Sequence, residues 1–244
     1  MKATRATALL AALALVAPAS GAFLLEIDTD GLDDGVLTLN PNFSTGGDTG
    51  VPSQSIAGTA VGLTGGDSVF GGAAANGDGA PNPDTYIYTY TPAVDGDNVG
   101  LAPGTVLNEF GDTLVNLPAS SGLYEVYVTW PDTGNISFEA PTNYVLSDGV
   151  NELLSVSISQ DNDSGGFTGN QWISIGQAVL DANTTYTLTQ TNTPDEQVGL
   201  GGTTFVNGFV SMRASGVLFD RVPEPTSALL AAVALAGFAA RRRV

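Results

Sequence analysis

The sequence predicts an all-β protein, a jelly-roll-like β-sandwich with long loops rich in Gly and Asp. Short runs of alternating hydrophobic and polar residues recur along the chain, and clusters of Gly, Ser, Thr, Asn and Asp separate them. Spacings of about ten residues between such runs are typical of sandwiches. No heptad, amphipathic helical run or fixed-period repeat accompanies them.

Strand patterns are sparse in the first half of the chain and dense in the second. In the first half they lie at Phe23–Ile27, Val36–Leu39, Ile56–Leu63, Ser68–Phe70, Tyr86–Thr91 and Thr113–Leu117. In the second half they lie at Leu123–Trp130, Asn143–Leu146, Leu153–Gln160, Gln171–Gly176, Thr184–Gln190, Val206–Arg213 and Gly216–Phe219. Within Leu123–Trp130, Tyr124, Val126, Val128 and Trp130 fall on one face, as in a half-buried strand.

The first 22 residues, Met1–Ala22, have the pattern of a secretory signal peptide. Lys2 and Arg5 form a basic start, an apolar stretch follows, and small residues precede Phe23. This order predicts export, with cleavage after Ala22.

The C-terminal segment 222–244 combines three elements. Val222, Pro223, Glu224 and Pro225 are followed by the apolar stretch Ala228–Ala240 and then by Arg241, Arg242 and Arg243. This arrangement closely resembles the PEP-CTERM sorting signal of bacterial exosortase substrates. The prolines prevent a helix from running back into the body and keep the triplet extended for a protease, while the arginines stay on the cytoplasmic side of the membrane.

The apolar stretch of the tail has 13 residues, whereas a full membrane span takes about 20. Snorkelling of Arg241 lengthens its reach, and no face of Ala228–Ala240 is polar, which argues against a soluble C-terminal helix. The resemblance implies that this helix holds the protein transiently at the inner membrane until an exosortase-like transpeptidase cuts near the triplet. The body (23–221) then reaches the cell surface or the extracellular space.

The body is strongly acidic. Removing the five basic residues of the two end segments from a total of seven, and Glu224 from the 25 acids, leaves 24 acids against Arg213 and Arg221, a net charge of −22. Nucleic acid requires Lys and Arg to neutralise its phosphates, so this partner is excluded, and anionic polysaccharides meet the same objection. Neutral glycans, divalent cations and basic partners stay open.

Histidine and cysteine are absent from the sequence. Their absence removes Ser-His triads, nearly every zinc site, disulfides, thiol nucleophiles and iron–sulfur ligation. A body of about 200 residues can bury a sufficient core without disulfides. We therefore expect a protein that is not an enzyme and has no catalytic cofactor.

A second resemblance covers Gly122–Phe219. Its motifs lie at Tyr124–Pro131, Ala140–Val145, Ser159–Gln160, Gln171–Gly176 and Tyr186–Leu188. In order and spacing they are similar to the C-terminal domain of golvesin and of xanthan lyases, which implies a carbohydrate-binding-like β-sandwich. The chain departs from that family at 210–214, where the family has an Asp-Ala-Val-type strand. Because most motif residues are packing residues, the resemblance implies a fold rather than an activity.

Tyr86, Tyr88 and Tyr90 project from one face of their strand, because strand side chains alternate. Flat aromatic rings stack on the apolar faces of sugars, so these residues and Tyr127 are candidate binding residues for a neutral glycan. The alternative is that the rings pack in the sheet core or in a cross-strand aromatic cluster. Core positions are expected for Trp130 and Trp172.

Two acidic loops place oxygen ligands at alternate positions beside glycine, as calcium-binding turns do. Their acids are Asp28, Asp30, Asp33 and Asp34 in one loop and Asp161 and Asp163 in the other. Neither loop completes an EF-hand, because Leu32 occupies a ligand position and no bidentate Glu follows. A structural Ca²⁺ site is one interpretation, and the capping of turns by Asp and Asn side chains is the other.

A glycan-cleaving enzyme would need a carboxylate pair, and its strand-associated candidates are Glu125 and Glu139. Neither has a flanking motif, and among so many acids some pair falls at a suitable separation by chance.

We expect a non-catalytic protein of the surface or extracellular matrix, associated with exopolysaccharide as the PEP-CTERM resemblance implies. A carbohydrate-binding module for a neutral glycan is the main alternative, and the enzyme is the third.

Overall fold

The computed structural model describes residues 22–46, 53–55, 57–65, 67–71, 85–95, 117–132, 142–160, 168–192 and 212–223. These ranges contain the strands β1 (Phe23–Glu26), β2 (Phe43–Gly46), β3 (Ser53–Ser55), β4 (Ser68–Gly71), β5 (Thr85–Tyr90), β6 (Gly122–Thr129), β7 (Thr142–Ser147), β8 (Glu152–Ile158), β9 (Ile173–Leu180), β10 (Tyr186–Asn192), β11 (Met212–Ala214) and β12 (Gly216–Arg221). One short helix, α1 (Pro92–Asp95), follows β5. None of the helices in these ranges is long and apolar enough to cross a membrane.

Two antiparallel sheets pack against each other and confirm the predicted all-β sandwich. The first has four strands in the order β1-β12-β6-β9, and the second has five in the order β2-β5-β10-β7-β8. A smaller sheet, β11-β4-β3, accompanies them. The first and the last of the described strands, β1 and β12, thus pair with each other in the first sheet.

The inner faces of the two large sheets share one hydrophobic core. Val126 and Phe219 enter it from the first sheet, and Tyr90 and Leu188 enter it from the second. The ring of Tyr90 stacks on those of Phe23 and Phe219 at centroid distances of 4.6 and 4.4 Å. Aromatic stacking therefore joins the two sheets near the ends of β1 and β12.

A second hydrophobic cluster lies on the outer face of the four-stranded sheet. Leu24, Tyr127, Trp172 and Leu218 belong to it, whereas their strand neighbours point into the core, as the alternation of strand side chains requires. Residues 57–65, which we call the covering loop, contribute Ala60 and Leu63 to this cluster. The outer face is thus a second, smaller core.

The sequence misplaced three elements. Val36–Leu39 is not a strand: the loop makes only an isolated bridge between Asp28 and Leu39. The described part of the predicted strand Ile56–Leu63 forms the covering loop. β9 continues past Gly176, because this glycine adopts φ +122° where a β-bulge shifts the register between Val126 and Tyr127.

Candidate functional site

The sandwich continues directly into the C-terminal sorting segment. β12 ends at Arg221, the backbone N–H of Val222 still donates to the carbonyl oxygen of Leu123 at 2.8 Å, and Pro223 is exposed. The remaining residues of the predicted sorting signal, Glu224, Pro225, Arg241, Arg242 and Arg243, lie outside the described residues. Within the described residues, the Pro-Glu-Pro triplet therefore begins one residue after the last ladder hydrogen bond.

The start of the body lies at the same end of the sheet. β1 is antiparallel to β12, and Phe23 pairs with Phe219. Ala22 and Phe23 are each only 2% exposed. Both segments that the sequence assigns to sorting, the leader and the tail, thus connect to neighbouring strands at one end of the sandwich.

The predicted glycan-binding tyrosines are buried. Tyr86, Tyr88 and Tyr90 are at most 1% exposed and lie on the inner face of β5. The Tyr88 hydroxyl donates to Oε1 of Gln190 at 3.0 Å, and the ring of Tyr86 packs on Phe43 at 5.8 Å. A ring in the core cannot stack on a sugar, so the core interpretation replaces the platform interpretation.

Tyr127 is also buried, but in the outer cluster rather than in the main core. It is 6% exposed and shares this cluster with Trp172 and Leu218. Its assignment as an exposed glycan-binding residue is therefore corrected too, because packing on the outer face covers the ring.

The first acidic loop uses its carboxylates to cap its own backbone. Asp28 Oδ1 accepts from the N–H of Asp30 at 3.3 Å, Asp30 Oδ1 from that of Leu32 at 2.9 Å, and Asp34 Oδ1 from that of Val36 at 2.8 Å. These are the Asx turns that Asp side chains favour in loops.

No group of three or more His, Cys, Asp or Glu residues within the described ranges could hold a metal ion. The turns capped by Asp28, Asp30 and Asp34 support the capping interpretation of this loop, and the Ca²⁺ site at Asp28, Asp30, Asp33 and Asp34 stays a prediction. Asp161 and Asp163 of the second acidic loop lie outside the described residues.

Asp67, which the sequence did not single out, is buried beside this loop. Burial raises the pKa of its carboxyl, and the carboxylates of Asp28 and Asp33 raise it further. Its backbone N–H donates to Asp28 Oδ2 at 3.2 Å. No local pattern marks this residue, because its acidic neighbours come from a segment more than 30 positions away.

Glu125, one of the two candidate catalytic carboxylates, takes part in a polar group on the outer face. Its carboxylate accepts hydrogen bonds from the hydroxyl of Ser174 and the side-chain amide of Gln177. Across the ladder it pairs with Asp220, which is only 5% exposed. Glu139, the other candidate, lies outside the described residues.

A buried hydrogen-bond network, also missed from the sequence, connects the second sheet to β11. The side-chain amides of Gln160 and Gln190 donate to the carbonyl oxygen of Arg213 at 2.8 and 2.9 Å. Gln160 also donates to the Tyr144 hydroxyl at 2.9 Å, and Tyr88 donates to Gln190. The network satisfies polar groups inside the core, as buried polar groups require, and offers no open site.

Comparison with known proteins identifies the tail. The family model of the PEP-CTERM protein-sorting motif matches residues 221–243. The chain is therefore an exosortase substrate, exported and sorted to the cell surface.

Two further comparisons bear on the whole chain. No curated protein matches the chain. Among solved structures it is similar to part of a Paenibacillus xanthan lyase, with 14% identity and a TM-score of 0.45 over 84% of this chain. The match spans 13% of the length of that lyase.

Proposed function

We propose that this exosortase substrate is a non-catalytic β-sandwich protein of the cell surface or extracellular matrix, where it associates with exopolysaccharide. The junction between sandwich and tail carries the proposal. Among the described residues, Val222 is the last one hydrogen-bonded to the sheet, and Pro223 follows it in an exposed position. Cleavage near Pro223-Glu224-Pro225 therefore removes the apolar tail and leaves every described strand intact.

Delivery follows from the two end segments. The leader Met1–Ala22 directs export and is removed, and the apolar stretch Ala228–Ala240 with its arginines holds the precursor at the inner membrane. An exosortase-like enzyme then releases or transfers the body. Its net charge of −22, obtained above from the acids and arginines of the body, opposes binding to anionic polymers, so the associated exopolysaccharide is a neutral one.

The use of the described carboxylates supports a non-catalytic role. Asp28, Asp30 and Asp34 cap turns, and Glu26 accepts backbone N–H groups of the covering loop. The carboxylate of Glu125 accepts hydrogen bonds from Ser174 and Gln177. The alternative of a neutral-glycan module is weakened, because the four tyrosines proposed to stack on the sugar are buried.

The test uses the full chain produced in cells that contain an exosortase. We expect surface and matrix fractions to contain a protein whose intact mass begins at Phe23 and ends near the triplet, and we expect it to co-purify with exopolysaccharide. Full-length protein in the cytosol, uncut at both ends, would contradict the proposal.

The same purified protein separates the three functions. Saturable binding to an isolated neutral oligosaccharide on a glycan array would favour the module. Release of reducing ends from polysaccharide, lost in the Glu125→Gln variant, would favour the enzyme. The structural role predicts co-purification with the exopolysaccharide of the matrix, without saturable binding to any isolated oligosaccharide and without release of reducing ends.

A further inference from the structure

The outer face of the five-stranded sheet is built mainly from small, uncharged polar residues. The tyrosines of β5 and Leu188 of β10 point into the core, so the residues between them point outward. The cross-strand register aligns the outward residues of all five strands in a central row: Ser44, Ile87, Thr189, Val145 and Ser155. Each of these side chains is at least partly exposed.

Two further rows flank the central one, and we call the three rows together the hydroxyl face. The register aligns one row as Gly46, Thr85, Thr191, Asn143 and Ser157. It aligns the other as Thr89, Thr187 and Ser147. A Cβ added at Gly46 would lie 3.2 Å from Ile87 Cδ1 and 3.6 Å from Thr85 Cβ, so neighbouring rows share one surface. Side chains on such a surface are about 4.8 Å apart across the strands and about 6.7 Å apart along them.

The hydroxyl face carries none of the charge that dominates the body. Its three rows contain no Asp, Glu, Lys or Arg. Glu152, an exposed acid at the start of β8, lies opposite Ser147 at the margin of the face. The acids and arginines of the body give it a net charge of −22. One broad surface of a strongly acidic body is therefore neutral.

The outer face of the four-stranded sheet differs in both cover and charge. The covering loop lies over its hydrophobic cluster. Glu26, Glu125 and Asp220 point to the same side, because each follows a residue that enters the core and strand side chains alternate. This face is covered and acidic, whereas the hydroxyl face is partly exposed and neutral.

We propose that the hydroxyl face is the surface on which the protein binds a neutral polysaccharide. The inference rests on the proposed function, whose exopolysaccharide it places on one surface. A basic partner is drawn to acids, which this face lacks, and an apolar partner would strip water from the hydroxyls without replacing their hydrogen bonds. The hydroxyls of a neutral sugar polymer donate and accept, so they replace those hydrogen bonds, and no charge has to be desolvated.

The groups on this face favour a long polymer over a short oligosaccharide. Ser157 donates to Asn143 Oδ1, and the Thr89 hydroxyl donates to the carbonyl oxygen of Asn42 at 3.4 Å, but a hydroxyl oxygen that donates can still accept. No aromatic ring occurs in the three rows. Each contact is therefore a weak hydrogen bond, and only a chain that crosses several rows makes many of them at once.

Two threonines at the centre of the face provide the test. In the face variant, Thr187→Val/Thr189→Val, valine keeps the branched shape and the strand preference of threonine and removes two hydroxyls. The control variant, Thr29→Val/Thr59→Val, changes two exposed threonines in loops outside this sheet.

The full chain and both variants are produced in cells that contain an exosortase, and the processed proteins are recovered from the surface fraction. The probe is the matrix polysaccharide of the same cells, divided by anion exchange into a neutral and an acidic fraction. Co-sedimentation with each fraction gives the affinity. We expect wild-type protein to bind the neutral fraction equally at low and at high salt, because no charges pair. The face variant should bind about tenfold more weakly, since two hydrogen bonds are lost, and the control variant should bind like the wild type.

Hydroxyl-radical labelling of the wild-type protein tests the same surface without a substitution, so the test does not depend on the folding of the face variant. Ile87 and Val145 lie in the central row, on either side of Thr189. Val61 and Val179 are 54% and 71% exposed on the opposite side of the sandwich. The neutral polysaccharide should slow the oxidation of Ile87 and Val145 and leave that of Val61 and Val179 unchanged.

Four outcomes are distinct. Binding to the neutral fraction that is weakened only in the face variant supports the hydroxyl face. Equal or tighter binding by the face variant overturns it and leaves the association with exopolysaccharide intact. Binding to the acidic fraction alone overturns the neutral partner, and the face with it. A wild-type protein that binds neither fraction overturns the proposed association itself.

Discussion

The indole Nε1 of Trp172 donates a hydrogen bond of 2.8 Å to the carbonyl oxygen of Val61. Trp172 projects from the outer face of a sheet and is still only 1% exposed, because the covering loop lies over it. The loop is also held by the N–H of Thr59, which donates to Asn170 Oδ1 at 2.9 Å, and by Glu26. Three side chains from two separate segments thus fix a loop that has no regular secondary structure.

Replacing Trp172 by Phe should lower the free energy of unfolding by about 2–3 kcal/mol, because the variant loses a hydrogen bond and part of a buried ring. Trp130→Phe is the matched control: Trp130 is equally buried, and its Nε1 has no hydrogen-bond partner in the described structure. Urea unfolding should show the smaller loss for Trp130→Phe. Equal losses in the two variants would mean that the bond to Val61 adds nothing.

Glu26→Gln should loosen the other end of the covering loop. The Glu26 carboxylate accepts hydrogen bonds from the backbone N–H groups of Thr64 at 2.6 Å and Gly65 at 2.5 Å. In the Gln variant the side-chain NH₂ group would face one of these two N–H donors and could not accept from it. The expected loss is about 1–3 kcal/mol, since both bonds are charge-assisted. Hydrogen exchange of the Gly65 amide should become faster, and Glu152→Gln should change neither quantity.

Gly65 itself admits no side chain. A Cβ at this position would lie 2.1 Å from the carbonyl oxygen of Asp28, so the backbone of one segment has to shift. Gly65→Ala should therefore cost more than about 2 kcal/mol. Gly35→Ala is the comparison, because Gly35 has φ +78° and no atom within 4 Å of the added Cβ, and the strain costs only about 1–2 kcal/mol. The opposite ranking in thermal unfolding would contradict the clash.

The sequence located the strands that have a patterned face. In β6 the residues Val126 and Val128 do enter the core, as the alternation predicted. β2 and β3 escaped prediction because they are short and mostly polar, FSTG and SQS, and are defined by pairing with β5 and β4. Such edge strands carry no periodic hydrophobic signal.

The candidate site was harder to predict than the fold, because exposure depends on distant segments. The sequence placed Tyr86, Tyr88 and Tyr90 on one face, but only the sheet packing shows that this face is the inner one. Tyr127 is on the opposite face of its sheet and is buried in the outer cluster, to which the covering loop, more than 60 positions earlier, contributes. The sorting tail needed no such context, because its signal lies in consecutive residues.

Asp67→Asn should stabilise the protein at neutral pH. The pKa of Asp67 is raised, chiefly by burial and then by Asp28 and Asp33. The protonated carboxyl of Asp67 therefore contributes to folding stability below the ordinary carboxyl pKa, and this contribution is lost as the pH rises through the raised pKa. At pH 7 the charged carboxylate therefore destabilises the fold. The melting temperature of the variant should exceed that of the wild type at pH 7, and the gain should shrink as the acid protonates.

Asp181→Asn is the control for Asp67→Asn, because it removes an exposed acid from the same highly charged body. An equal gain in both variants at pH 7 would mean that general charge repulsion, rather than the burial of Asp67, limits stability.

Tyrosine ionisation should govern unfolding at alkaline pH. The chain has seven tyrosines and no cysteine or histidine, and its only lysine lies in the leader. Burial raises the pKa of Tyr88 well above its usual value, with a further contribution from Tyr144, and burial raises the pKa of Tyr144 as well. Their stabilising contribution is complete below the unfolded value of about 10 and is lost as the pH rises through the raised values.

Urea midpoints measured between pH 8 and pH 11 should consequently fall above about pH 10. Tyr88→Phe should be less stable than the wild type at pH 8 by about 1–2 kcal/mol, because Gln190 Oε1 loses its donor, but its midpoint should fall less steeply with pH. In Tyr144→Phe, too, the urea midpoint should fall less steeply with pH than in the wild type. A wild-type midpoint that stays constant up to pH 11, or a Tyr88→Phe slope equal to that of the wild type, would show that these phenols ionise without opening the core.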